Sequence, residues 1–178
     1  MSYEPIQVVA LCGLAGSGKS TAADHLVERF GYTRVKFADP IKDMLRAIGL
    51  DDRHIEGDLK EVPSDLLMKR TPRYAMQRLG TEWGRGLIGP DFWVNVWKQR
   101  VQKYIDLGTT VVVDDCRFPN ELRAIKELGG ISLMLHRPGL VPIEKHISEQ
   151  YILETDYEIT NDRSIEELKA AIEVLIHK

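Results

Sequence analysis

Eight residues near the start of the chain, GLAGSGKS at positions 13–20, constrain its fold more than any other stretch. They match the pattern GxxxxGK[ST] in full. Before them lies IQVVAL (6–11), an apolar, β-branched run too short for a helix and suited to a buried parallel strand. After them, positions 20–30 place Ala22, Ala23, Leu26, Val27 and Phe30 on one side of a helix, which Gly31 should end. Strand, glycine-rich turn and helix together form the context in which this pattern binds phosphate. Gly13, Gly16 and Gly18 let successive backbone N–H groups turn inward as a nest for phosphate oxygens. The helix adds the positive end of its dipole, about half an elementary charge. Lys19 would bridge the β- and γ-phosphates of a nucleoside triphosphate, and the Ser20 hydroxyl would ligate Mg2+. Ala15, Ser17 and Thr21 complete the expected ATP contacts. A turn that merely joins strand to helix is the bland alternative, and the complete motif in its proper context argues against it.

A second strand signal, VVVDD at 111–115, ends in carboxylates. In an open parallel sheet, ligands bind at the carboxyl ends of the strands, so these acids should face the phosphate loop. One of them can hold Mg2+ or its waters. Asp115 is the first choice and Asp114 the second; an acidic strand end exposed to water competes with both. Arg117, two residues on, has the planar fork of donors that suits a transferring phosphoryl group. A salt bridge to Glu121 is its competing role. Cys116 reads as a small packing residue. With Cys12 it makes two cysteines, neither in a CxxC pair, which argues against a zinc cage or a disulfide framework.

The remaining signals alternate. A strand is expected at 33–37, a helix at 40–48, an irregular acidic loop at 51–65 and a helix from Thr71-Pro72 to 79. A long helix at 92–107, a helix at 120–128 and strands at 131–135 and 157–160 follow, and then a helix at 164–176 with Ser164 and Glu167 as a capping box. The order predicts an α/β domain whose parallel sheet is covered on both faces. The chain has 178 residues, which at roughly 150 per domain means one domain over 1–178. A net charge of -3 weighs against a general binder of nucleic-acid polymers. No stretch nears the roughly 20 apolar residues of a membrane span, and the start lacks a basic leader. A cytoplasmic protein with no membrane partner is expected.

Charge is uneven along the chain. Positions 69–100 carry seven basic and two acidic residues, whereas 147–167 carry seven acidic residues and one Arg. Solvated faces would explain both. The alternative for the basic stretch, which contains TPRYAMQRLGTEWGR, is a pocket for a second anion. Helical spacing of three and four would let Arg70, Arg73 and Gln77 share a face, with Arg85 after a glycine turn. Trp83 suits either stacking on a nucleobase or a place in the core, and Trp93 and Trp97 read as core.

GLAGSGKST, KFADPIKDML, TPRYAMQRLGTEWGR, VVVDDCRFPNEL and the later HISE together resemble the phage-type deoxynucleoside monophosphate kinases, from about position 8 to 161. QRLGTEWGR with DDCRFPNE is the restrictive part; a looser similarity to the phosphomevalonate kinases runs through PIK and D-x-R. The resemblance implies a P-loop NTPase fold of the nucleoside-monophosphate-kinase kind, three α/β/α layers around about five parallel strands. It implies ATP and Mg2+, a deoxynucleoside monophosphate as acceptor, an acceptor-binding insertion at about 40–100 and a lid at about 137–155. Lys19, Arg117 and Asp115 would be the catalytic set, with Ser20 and Asp115 on the metal. Asp39 and Lys42 would line the acceptor side with Arg70, Arg73, Gln77, Trp83 and Arg85. Arg137 would begin the lid, and Asn161 would lie near adenine. Phage origin would place the enzyme in the host cytoplasm. Two other readings stay open: a kinase for another small phosphorylated metabolite, and a P-loop regulatory ATPase. Monomer and homodimer are equally open.

Overall fold

β1 (Val8–Cys12) is buried at every position, as a strand covered on both faces must be. In the computed structural model, which describes residues 6–140 and 153–177, it is the central strand of a five-stranded sheet ordered β2-β3-β1-β4-β5. The others are β2 (Thr33–Arg34), β3 (Val111–Val113), β4 (Ile131–His136) and β5 (Tyr157–Thr160). All four pairings are parallel, with Val8 opposite Val111 and Val9 opposite Ile131. The expected strand at 33–37 shortens to two residues, although Val35 N–H still donates to Val112 O at 3.0 Å.

Strand alternation sends side chains to two helical layers. Val9, Leu11, Val112, Leu133 and Leu135 share a core with Leu26 of α1 (Lys19–Phe30) and with Leu168 and Ile172 of α7 (Ile165–Ile176). Leu122 and Ile125 of α6 (Pro119–Glu127) are also buried, and α6 packs on β1 and β4. Gly31 ends α1 with φ 72°, its N–H on Leu26 and Val27 carbonyls. Ser164 Oγ accepts from Glu167 N–H at 3.2 Å, and the Glu167 carboxylate returns to Ser164 N–H at 3.1 Å, so the expected capping box forms.

The chain divides into two compact units, one being Phe37–Trp97 and the other the residues on either side of it. Within Phe37–Trp97, Leu45, Leu50 and Ile55 form a separate core, joined by Leu67, Ala75, Met76 and Leu79. It holds α2 (Asp39–Ala47), α3 (Asp52–Ile55) and α4 (Pro72–Gln77). The acidic segment expected as loop contains α3, because the Asp51 side chain accepts from His54 N–H and caps it. α4 starts at Pro72, with Thr71 Oγ1 as cap, and Arg70 therefore precedes the helix instead of sharing its face. Arg70 pairs with Ser64 in an antiparallel bridge, closed through Met68 and Lys69 at φ 52° and 65°.

Arg78–Ile88 differs most from expectation. In place of a glycine turn before Arg85, it forms wide π-helical turns, one closed by Gly89 N–H on Gly84 O at 3.0 Å. The Trp93 indole N–H donates to Gly80 O at 2.8 Å and takes up a carbonyl there. α5 (Phe92–Asp106) follows, with Trp93 and Trp97 buried as expected. Trp97 stacks on Phe37 with ring centroids 4.4 Å apart.

Candidate active site

The phosphate loop joins β1 to α1 at the carboxyl edge of the sheet. A Cβ on Gly13, where φ is 133°, would lie 2.4 Å from Leu135 O, so only glycine fits. At Gly18, φ 106°, a Cβ would meet the Asn161 amide nitrogen at 2.6 Å. That amide donates to Ser17 O at 2.9 Å, and Asn161 N–H donates to His136 O at 2.6 Å. Asn161 thus fastens the loop to the ends of β4 and β5. Arg137 Nη1 donates to Gly16 O at 3.4 Å. The Lys19 ammonium folds back on the loop, donating to Gly13 O at 2.7 Å and Leu14 O at 2.6 Å.

A cleft of about 430 Å³ opens beside this loop. Gly13, Leu14 and Ser17 form one wall, and Cys116, Arg117 and Arg137 contribute others. Met134, Pro138, Leu140 and Leu153 supply apolar surface. Phosphate loop, Arg117, Arg137 and Asn161, widely separated in sequence, are thus brought together. Glu121 Oε2 accepts from the backbone N–H of Arg117 at 2.7 Å and of Phe118 at 3.1 Å, so it caps α6 through the main chain. The Cys12 thiol beside it, together with burial, holds the Cys116 thiol well above its ordinary pKa, which suits packing and not nucleophilic chemistry.

The two acids after β3 sit differently. Asp114 is buried, and its carboxylate faces Lys36 Nζ at 3.4 Å and Arg34 Nε at 3.9 Å. Asp115 is half-buried. Arg34 and Lys36 went unremarked in the sequence, although two cations at i and i+2 on a strand must share a face.

Within Phe37–Trp97 the expected acceptor-side residues are held by local partners. Lys42 is buried and pairs with Asp39 at 3.8 Å and with Glu56. Arg73 pairs with Glu61, and its N–H donates to Lys60 O at 3.0 Å. Burial, and then the Arg73 charge, push the Lys60 ammonium below its usual pKa. Arg70 and Arg78 both lie over the Tyr74 ring, at 5.1 and 4.9 Å from its centroid. Gln77 ends α4, and Arg85 Nη1 donates to Pro90 O at 3.2 Å. Trp83 meets Phe92 edge-on at 5.4 Å, half-buried in an aromatic group that includes Trp93. The expected lid at about 137–155 falls largely on residues outside those described, as does HISE (146–149).

A profile of the deoxynucleotide monophosphate kinase family matches residues 64–172. A protein of Acanthamoeba polyphaga mimivirus assigned to that family is 35% identical over 180 residues, covering 93% of each chain. The chain belongs to the deoxynucleotide monophosphate kinase family. A second relative, the deoxynucleotide monophosphate kinase of Escherichia phage RB69, is 25% identical and covers 96% of this chain and 100% of its own. Among solved structures, the Mycobacterium tuberculosis APS kinase in complex with AMPPNP and APS superposes with a TM-score of 0.54 at 13% identity, over 98% of this chain and 99% of its own. A sugar kinase of Janibacter sp. HTCC2649 gives 0.51 at 18% identity, over 96% and 94%. Such distant likeness concerns the fold, and it confirms the P-loop kinase architecture of this family member.

The donor set suits the groups a kinase of this family needs. Ser17 Oγ is buried beside the loop and has no hydrogen-bond partner among the described residues, so a polar ligand would satisfy it. Mg2+ prefers oxygen donors, keeps several waters and commonly takes only one or two protein ligands. Ser20 is exposed at the start of α1 and offers such an oxygen, and Asp115 is half-buried after β3. Among the described residues, no cluster of three or more His, Cys, Asp or Glu forms a closed metal cage.

Proposed function

We propose that the protein transfers the γ-phosphoryl group of ATP to a deoxynucleoside monophosphate, giving ADP and the diphosphate. One observation carries this reading: a complete phosphate loop, braced by Asn161 and Arg137, in a chain of the deoxynucleotide monophosphate kinase family. Mg2+, when bound, neutralises charge on the β- and γ-phosphate oxygens. Lys19 swings from its carbonyl partners to the phosphates, since ammonium–phosphate bonds are stronger than those to neutral carbonyls. Ser20 and Asp115 would hold the metal. Arg117, at the cleft wall, spreads its charge over the transferring group. Adenine rests against the apolar surface of Leu140 and Leu153. The acceptor is held by Asp39, Lys42, Arg70, Arg73, Gln77, Trp83 and Arg85 of the Phe37–Trp97 unit. Catalysis is mostly positioning and charge neutralisation.

The relatives named above come from a virus and a phage, which supports work on small nucleotides in a host cytoplasm. No helix among the described residues is long and apolar enough to cross a membrane. An ADP-release assay with ATP, Mg2+ and each deoxy- and ribonucleoside monophosphate tests the proposal. Turnover should require a deoxynucleoside monophosphate. Equal ADP release without any acceptor would identify a simple ATPase and overturn the reading.

A further inference from the structure

The carboxylate of Asp114 is 3% exposed, and two cations, Arg34 at the end of β2 and Lys36 just beyond it, converge on it. The β2–β3 register places Arg34 beside Val112, and Val35 N–H still donates to Val112 O, so the chain just past both strands brings Lys36 and Asp114 to the side of Arg34. This is the face that packs on α1 through Val112. From there the Arg34 fork reaches the first two turns of α1. Nη2 donates to Asp24 Oδ1 at 2.6 Å and to Ser20 O at 3.3 Å, while Nε faces Asp114 Oδ2 at 3.9 Å. One guanidinium therefore hydrogen-bonds the main chain of Ser20, the residue that offers its hydroxyl to the metal, and lies within ion-pair range of Asp114 without a hydrogen bond from Nε.

We infer that Arg34 is a positioning residue for Ser20, with Asp114 as its buried anchor and not a metal ligand. The inference rests on the kinase reading above, in which Ser20 holds Mg2+. Electrostatics separate the two acids. A buried carboxylate needs compensating charge, and Asp114 has two cations within 4 Å. A divalent ion approaching it would meet those same cations at close range, where like charges repel strongly. Asp115 lacks that burial. Geometry explains the choice of Arg at position 34. Its planar fork can address Asp24, the Ser20 carbonyl and Asp114 together, whereas a Lys ammonium presents a single point. The Ser20 carbonyl has a second lone pair available after its helical bond, and Arg34 uses it. Holding that carbonyl fixes the orientation of the peptide from which the Ser20 side chain projects.

Calorimetry with ADP, in the presence and absence of Mg2+, tests this without relying on turnover. Wild-type protein should bind Mg·ADP more tightly than ADP, and the ratio of the two affinities isolates the metal contribution. In Arg34→Met the ratio should fall about tenfold, the lower end of the effect of disturbing a group behind a metal ligand. Affinity for metal-free ADP should stay unchanged, because the loop N–H groups and Lys19 are untouched. Arg34→Met alone leaves Asp114 under-compensated and can lose stability for that reason. The double variant Arg34→Met with Asp114→Asn removes both charges and keeps side-chain volume, so it should melt nearer to wild type and still show the reduced ratio. A wild-type ratio in the folded double variant would make the network a mere structural contact and overturn the inference. Wild-type protein that binds neither ADP nor Mg·ADP would overturn the kinase reading and this inference with it.

Discussion

Lys19 lies with its ammonium against the carbonyls of Gly13 and Leu14, poised at the mouth of the loop it serves. Lys19→Ala should lower kcat by about 100-fold or more, the scale seen when one charge-stabilising donor is removed from a reaction site. Its melting temperature should stay near wild type, because the loop is also held by Asn161 and Arg137. Wild-type turnover in a coupled assay would show that the loop does not hold the reacting phosphates. The acids after β3 offer a second measurement. Asp115→Asn should raise the Mg2+ concentration for half-maximal activity more than Asp114→Asn does, since Asp114 already faces two cations. Equal shifts in a Mg2+ titration would put both on the metal or neither. The phosphate loop was legible because its residues act as neighbours in sequence. Arg34 was not, because its role depends on the register of two strands whose members lie far apart in the chain.

At the scale of elements, β4 and β5 are tied by a polar contact at their amino ends. Asp156 Oδ2 accepts from Ser132 N–H at 2.8 Å and from Ser132 Oγ at 2.6 Å, and Lys126 Nζ stands 3.4 Å from Oδ1. Burial alone would raise the Asp156 carboxyl, but the Ser132 donors and Lys126 hold it below the ordinary carboxylate range. A pKa lowered by folding means stability that is fully present above the unfolded value of about 3.9 and is lost as pH falls through the folded one. Asp156→Ala should remove that acid-limb dependence in melts taken from about pH 5 downward. At neutral pH it should cost about 1–3 kcal/mol, because the buried Ser132 donors lose their acceptor. A variant that keeps both the wild-type melting temperature and its pH dependence would show that other contacts hold the strands. Five strands and most helices were readable from apolar period and caps. The π-helical turns of Arg78–Ile88 were not, because the group that takes the Gly80 carbonyl is Trp93, on the next helix. Arg70 was read into α4 by spacing alone, whereas Thr71 and Pro72 start the helix after it.

At the scale of the whole molecule, ATP is proposed for the sheet unit and the acceptor for Phe37–Trp97. Arg73→Ala or Arg85→Ala should therefore raise KM for the deoxynucleoside monophosphate several-fold while leaving KM for ATP unchanged, since charge-assisted bonds dominate monophosphate binding. A fall in kcat should accompany it if the same contacts align the acceptor oxygen. Steady-state kinetics varying each substrate separately read the split, and silence in both variants would move the acceptor phosphate elsewhere. Chain order has one more consequence. β1 leads the sequence, yet its partners on either side, β3 and β4, begin at Val111 and Ile131. On a ribosome adding about 5–20 residues per second, the first strand must wait several seconds for either neighbour. During that interval Phe37–Trp97, with its own core, emerges complete. Synthesis thus favours an order in which the Phe37–Trp97 unit settles first and the phosphate loop, though made before it, takes shape after it.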